Sequence, residues 1–160
     1  MKNLYLMCGV PGSGKSYWIK NNINQFKGTT KVVSRDKIRF SLLNDEDEYF
    51  SKEKEVWDLF VKEIIEGLKN YDNVIVDATH LNGPSRLKTL NAVGEYLGNV
   101  KISAIVIKAP LYTCIKRNEE REGRAFVPLS VIRRMKYQFS MPTSEEGFND
   151  VIIINNSEKE

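Results

Sequence analysis

A chain of 160 residues with 41% hydrophobic and 28% charged residues, 10 Gly and 5 Pro is long enough to fold as one domain around its own core. That composition excludes disordered, collagen-like and coiled-coil chains. Its 24 basic and 21 acidic residues leave a net charge of +3, too mild by itself to announce a nucleic-acid partner or a membrane surface.

Met1–Val10 holds one Lys and a short apolar run that meets a glycine loop, with no small-residue cleavage site. A core strand over Leu4–Cys8 is expected there, not a signal peptide. No apolar run approaches the ~18–20 residues of a membrane span. Further runs rich in β-branched residues, at Thr30–Val33, Asn73–Val76, Lys101–Ile107 and Val151–Ile154, predict four more strands. Between them, Val56, Trp57, Phe60, Val61, Ile64, Ile65 and Leu68 recur at three-to-four-residue spacing and predict a helix of four turns or more. A second helix is expected from about Pro84 to Tyr96. A third opens with Pro110 as its first residue and stops near Gly123. Near-continuous apolar strands alternating with helices predict an α/β fold, a parallel five-stranded sheet with helices on both faces. One domain over residues 1–154 is expected, with a frayed polar tail at 155–160. Cys8 and Cys114 lie in apolar segments without metal-ligand spacing, so they read as buried thiols in a reducing, cytoplasmic setting.

Chemistry enters at Gly9-Val10-Pro11-Gly12-Ser13-Gly14-Lys15-Ser16, which matches the phosphate-loop pattern G-x-x-x-x-G-K-S/T between a strand and a helix. Glycines let the backbone curl with its N–H groups towards phosphate oxygens, and the helix N-terminus adds positive potential. Lys15 is expected to reach the β- and γ-phosphates of ATP or another nucleoside triphosphate, and the Ser16 hydroxyl to ligate Mg²⁺.

After the second strand, Asp36 and Arg39 stand three apart on the first turn of a helix, at the strand ends where a parallel sheet binds its ligands. Asp36 fits a general base for an acceptor hydroxyl, and Arg39 a bidentate ligand for an acceptor phosphate. The plainer alternative is a capping Ser34 or Asp36 with solvated basic neighbours. Asp77 ends an apolar strand and suits a direct or water-mediated Mg²⁺ contact, or only a cap for the next turn. His80, the sole histidine, has no partner in view and reads as structural. Arg117, Arg121 and Arg124 form a basic lid, with Arg117 and Arg121 on one helical face where a polyphosphate would relieve their repulsion. Ion pairs with Glu120 on a solvated helix are the alternative. Residues 101–136 carry nine basic and three acidic side chains, so the modest net charge conceals a basic third quarter.

Taken together, these segments resemble the polynucleotide 5′-hydroxyl kinases of bacteriophage, bacterial and animal end-healing enzymes, over nearly the whole chain. Gly9–Ser16 is similar to the family's phosphate loop, and Ser34-Arg35-Asp36-Lys37-Ile38-Arg39 to its Arg-Asp-x-x-Arg segment. Val76–Asn82 is similar to its Asp-x-Thr-Asn segment, Arg117–Arg121 to its lid, and Val127–Phe148 to its C-terminal pattern. Tyr17 stands where Thr is frequent, His80 where Asn is frequent, and the phage enzyme has its acid one position later than Asp77. The resemblance implies transfer of the ATP γ-phosphate to 5′-OH ends of DNA or RNA, with Asp36 as base and Lys15, Arg39 and Arg121 as catalytic partners. It further implies ATP contacts from Gly9, Pro11, Gly12, Ser13, Gly14, Lys15, Ser16, Tyr17, Arg117, Arg121 and Arg124, acceptor contacts from Asp36, Arg39 and Thr79, and metal contacts from Ser16 and Asp77. Asp45–Asp47 lacks the following Gly-Thr of the phosphatases often fused to this family, so a separate phosphatase or ligase is the expected partner. A kinase of nucleosides, sugars or antibiotics is the alternative enzyme, and a nucleotide-dependent switch the alternative non-enzyme.

Overall fold

The computed structural model describes residues 1–121 and 127–156. All five expected strands form: β1 (Lys2–Cys8), β2 (Thr30–Ser34), β3 (Asn73–Asp77), β4 (Val100–Lys108) and β5 (Asp150–Asn155). They pair in parallel in the order β2-β3-β1-β4-β5, which confirms the parallel α/β sheet. Because β1 lies in the middle and the chain crosses it between β3 and β4, the connections after β1 and β3 leave in opposite directions. A crevice opens at the carboxyl ends of those two strands, where this class of sheet binds ligands.

Strand side chains alternate between faces. Leu4, Leu6 and Cys8 join Val74, Val76, Ala104 and Val106 on one face. There α3 (Glu53–Asn70) lays down Val56, Phe60, Ile64 and Leu68, and α4 (Gly83–Ala92) adds Leu90. Trp57, Val61 and Ile65 pack against the same core, so the whole predicted stripe faces inward. Met7, Ile75, Ile105 and Ile107 occupy the other face, covered by Ile19 of α1 (Lys15–Asn22). A third cluster, Val10, Ala109, Cys114 and Ile132, seats α5 (Leu111–Glu119) and α6 (Leu129–Gln138) beside the crevice. Between β2 and α3 lies α2 (Arg35–Leu42), whose first turn is capped by Ser34 accepting from the Lys37 N–H. No helix among the described residues is long and apolar enough to cross a membrane.

Three local expectations shift. Pro110 is the N-cap of α5, not its first helical residue, and α5 ends at Glu119, before Gly123. Instead of one helix from Pro84 to Tyr96, α4 ends at Ala92 and a 3₁₀ turn covers Gly94–Tyr96. The chain is also not frayed from residue 155: Asn155 pairs with Lys108 in β5, and the Asn156 N–H donates to the Lys108 carbonyl at 2.7 Å. Polarity suggested a tail there, but a ladder bond needs only the backbone. Helix α6 has no counterpart among the expected elements, since Ile132 is its one buried residue and too little of a stripe to mark it.

His80 shows how the crevice is fixed. It follows β3 with φ of 42°, a left-handed conformation uncommon outside Gly, Asn, Asp and His. Its imidazole is 4% exposed and lies between the Met7 carbonyl at 3.0 Å and the Thr89 hydroxyl at 3.1 Å. A carbonyl only accepts, so Nδ1 carries the proton and donates to Met7, and Nε2 accepts from Thr89. Burial is the main reason that its pKa falls to about 4. The unfolded histidine, with its ordinary pKa near ~6.5, binds the extra proton first, so the stability it contributes is complete above that pH and lost as pH falls towards 4. A loss of ~3 kcal/mol over that interval is expected. His80 is the sole histidine, and carboxylates titrate mainly below pH ~4.5, so chemical denaturation between pH 7 and 4.5 isolates it. The wild type should lose stability across that window, and His80→Gln should flatten the slope.

Candidate active site

The crevice is a cleft of about 870 Å³ that brings most of the expected site residues together. Its floor is the phosphate loop. Gly12 and Gly14 have φ of 83° and 105°, and a Cβ on Gly12 would strike the Cys114 backbone, while one on Gly14 would strike the Asn156 side chain. Gly14 is also the N-cap of α1, so no side chain caps the first-turn N–H groups and no acidic residue stands among them. That is a cradle for an anion, and it fits a nucleotide's phosphates. Pro11 lines the cleft beside it, and Ser13 is buried with its Oγ unpartnered among the described residues.

Lys15 donates to the carbonyls of Gly9 at 2.8 Å and Val10 at 3.1 Å, folding its ammonium back over the loop. Loss of hydration lowers its pKa, opposed by the Asp77 carboxylate, reinforced by Arg121 and opposed again by Asp36. Those three charges therefore act on Lys15 from around the same cleft, which all of them line. Ser16 Oγ donates to Asp77 Oδ2 at 2.6 Å, so two hard oxygens meet at the ends of β3 and the loop. No cluster of three or more His, Cys, Asp or Glu able to hold a metal occurs among the described residues. Two protein oxygens fit Mg²⁺, which keeps waters and takes phosphate oxygens as its other ligands. Thr79 and Tyr17 line the cleft, and the Thr79 carbonyl accepts from the Gly9 N–H at 2.9 Å, joining the ends of β3 and β1.

On the opposite wall, Asp36 Oδ1 accepts from the Tyr49 hydroxyl at 2.7 Å and from Arg39 Nη1, while Oδ2 accepts nothing from the described residues. Arg39 is 5% exposed and its remaining bonds are taken: Nε and Nη2 make a fork on Glu53 at 2.7 and 2.8 Å, and Nη1 also reaches Tyr49 at 2.9 Å. Arg39 was expected at an acceptor phosphate. The structure instead commits its planar fork to a carboxylate on α3, because a buried guanidinium needs a bidentate partner. Burial alone would raise the Glu53 pKa, but bonds and charge from Arg39 and Arg35 hold it below the ordinary value. Burial raises the Tyr49 pKa, and the adjacent Asp36 raises it further, so Tyr49 stays a protonated donor.

Arg117, expected at a phosphate, lines the same cleft. Its Nη1 donates to the loop carbonyls of Gly12 at 3.3 Å and Ser13 at 3.1 Å, from the lid side. Buried Asn118 pins Val127 by accepting its N–H at 2.9 Å and donating to its carbonyl. Arg124 lies outside the described residues. Sequence reasoning missed Tyr49, Glu53 and Asn156, whose side-chain amide donates to the Ser13 carbonyl at 2.9 Å. None of the three carries a local motif. The signal for Glu53 was an acidic residue on the first turn of an amphipathic helix.

A profile for AAA domains matches residues 4–142. Among solved structures, a chain of the Pnkp1/Rnl/Hen1 RNA repair complex is similar with a TM-score of 0.70 and 30% identity, over 86% of this chain and 43% of that one. A second structure of the Pnkp1/Rnl/Hen1 complex gives 0.62 and 29%, over 72% and 38%. The chain thus spans about two fifths of the length of these relatives. A gluconokinase from Sinorhizobium meliloti 1021 shares the fold, with a TM-score of 0.60 and 17% identity over 98% of this chain and 84% of that one.

Asn156→Ala tests whether the end of β5 supports the phosphate loop. Loss of one hydrogen bond to a part-buried carbonyl should cost ~1 kcal/mol of stability by chemical denaturation. Titration with a fluorescent nucleotide should show binding weakened several-fold, whereas a frayed residue would change neither.

Proposed function

The chain belongs to the AAA_33 family of AAA domains, and from that membership and the geometry of the cleft we propose that it is an ATP-dependent polynucleotide 5′-hydroxyl kinase with Asp36 as its general base. Its fold is that of the P-loop kinases, nucleotide-binding phosphotransferases. The observation that carries the reading is Asp36 itself, fixed by Tyr49 and Arg39 on one wall with Oδ2 unbonded among the described residues, in the same cleft as Lys15 and Arg121. A nucleotide switch has no use for a carboxylate so held. The similarity at 30% identity to a chain of an RNA repair complex favours a nucleic-acid end over a sugar as acceptor.

In this reading the loop backbone and Lys15 hold the β- and γ-phosphates, and Arg121 stabilises charge on the transferring group. Asp36 Oδ2 takes the proton of the 5′-hydroxyl as that oxygen bonds to the γ-phosphorus and the bond to the β-phosphate oxygen breaks, releasing ADP. Arg39 and Tyr49 keep Asp36 in one rotamer, so the base is positioned before the acceptor arrives. Ser16 and Asp77 would hold Mg²⁺, which would supply positive charge to the phosphates. Thr79 stands at the end of β3 to orient the acceptor. The relatives' complexes make separate repair proteins a fitting partner class, a ligase or phosphatase among them.

Two measurements test this. Labelled γ-phosphate should pass to a 5′-OH oligonucleotide in preference to a panel of nucleosides and sugars, with acceptor affinity falling as salt rises. Absence of oligonucleotide labelling at any length refutes the reading. In Asp36→Asn the side chain can still accept from Arg39 and Tyr49 but cannot take a proton. Nucleotide binding should stay intact while turnover falls at least ~10²-fold.

A further inference from the structure

One aromatic side chain of the cleft is left unused by this chemistry. Phe50 lines the cleft with 59% of its surface exposed and belongs to none of the buried clusters. Leaving a phenyl ring in water forgoes the stabilisation that its burial would give. The ring is nevertheless backed: Tyr49 stands edge-on to it with centroids 4.6 Å apart, and the Arg39 guanidinium lies 5.5 Å from its centroid. Tyr49 in turn donates to Asp36 at 2.7 Å, so a single side chain separates the exposed ring from the proposed base. Trp57, the other large aromatic of that wall, is half-buried and already taken, with Lys88 Nζ 4.3 Å and the Arg35 guanidinium 5.4 Å from its centroid. The polar groups beside Phe50 are also committed, since Arg39 and Tyr49 are bonded to Glu53 and Asp36. A ligand part that packs here is therefore read by a flat surface and not by hydrogen bonds.

We propose that Phe50 is the platform on which the terminal nucleobase of the acceptor stacks, setting the 5′-hydroxyl of the same nucleotide against Asp36. The proposal rests on the polynucleotide kinase reading and names what in the acceptor is recognised. Tyr49 bridges the two, its ring centroid 4.6 Å from that of Phe50 and its hydroxyl 2.7 Å from Asp36, so a nucleobase stacked on Phe50 lies next to the side chain that holds Asp36. Every base has a π-face, so such a platform accepts any terminal base, which suits an enzyme acting on ends of varied sequence.

The test compares two 5′-OH oligonucleotides that differ only in a normal or abasic 5′-terminal nucleotide, with wild type, Phe50→Ala, Phe50→Leu and Phe50→Trp. Stacking of one base corresponds to about a tenfold effect or more. Wild type should lose about tenfold in kcat/KM on the abasic end. Phe50→Ala and Phe50→Leu should lose as much on the normal end and nothing further on the abasic one, while Phe50→Trp restores the dependence on the base. KM for ATP should be unchanged throughout. Phe50→Leu keeps apolar volume without the π-face, which covers the case of an Ala variant that folds poorly. Equal losses on both ends, indifference of wild type to the terminal base, or a rise in KM for ATP overturns the proposal. Failure of wild type to label either oligonucleotide while it phosphorylates a simple sugar overturns the underlying reading as well.

Discussion

A buried guanidinium holds the crevice in shape. Arg86 on α4 has no exposed surface, and a charge in that position is strongly unfavourable unless every donor finds an acceptor. All of its donors do. Nε and Nη2 fork onto Glu146 at 2.7 and 3.1 Å, Nη1 donates to the carbonyls of His80 at 2.9 Å and Ser140 at 3.0 Å, and Nη2 reaches the Ser140 hydroxyl at 3.4 Å. Arg86 thereby holds the turn after β3 and the start of α4 against the segment that leads into β5, 54 to 60 residues further along the chain. The bond from Arg86 is the main cause that keeps the Glu146 pKa below its ordinary value, as a committed partner requires. The turn so fixed contains His80 in its left-handed conformation and directly follows Thr79, whose carbonyl takes the Gly9 N–H. The position of Asp77 relative to the phosphate loop follows from that chain of bonds.

The same device recurs across the cleft with a different result. Arg39 forks onto Glu53, but its third direction points to Asp36, which stays largely exposed. At Arg86 the guanidinium spends its donors on structural groups. At Arg39 it makes two bonds to Glu53, one to Tyr49 and one to the proposed base. Arg35, beside it, meets Glu53 at 3.3 Å and lies 5.4 and 5.3 Å from the ring centroids of Trp57 and Phe60. Burial lowers its pKa, and Glu53 and the aromatic faces offset part of that cost, while its Nε is buried without a partner among the described residues. Glu53 thus serves two arginines, which makes the N-terminus of α3 the anchor of the wall that carries Asp36.

Which parts of this were legible in the sequence follows from how far each interaction reaches along the chain. The five strands and the α3 stripe were, because each is a periodicity within one segment. So was the phosphate loop, whose glycines answer to local backbone geometry at Gly12 and Gly14. Asp36 was legible as a candidate because strand ends in a parallel sheet face the ligand. Its partner Tyr49, thirteen residues away, was not, nor was Glu53, which holds Arg39 from another helix. Arg39 and Arg117 were recognised as important charges but assigned to phosphates, since sequence shows a charge and not which of its donors are already taken. Asn156 was hidden by composition, a polar residue among polar residues, although its backbone continues the β5 ladder.

The direction of the loop's N–H groups depends on those last two residues. In a trans peptide the carbonyl and the following N–H point in opposite directions. Arg117 and Asn156 both donate to the Ser13 carbonyl, Arg117 from α5 and Asn156 from the end of β5. Holding that carbonyl from outside turns the Gly14 N–H the other way, into the cradle where an anion binds. An arginine that grips the loop backbone therefore helps to orient the phosphate-binding N–H groups, and the close approach of Asn156 explains why position 14 has no room for a Cβ. Lys15 completes the arrangement by bonding the Gly9 and Val10 carbonyls. Its ammonium is positioned at the loop in advance, so a nucleotide's phosphates would exchange one set of oxygen acceptors for another and find the backbone donors already oriented.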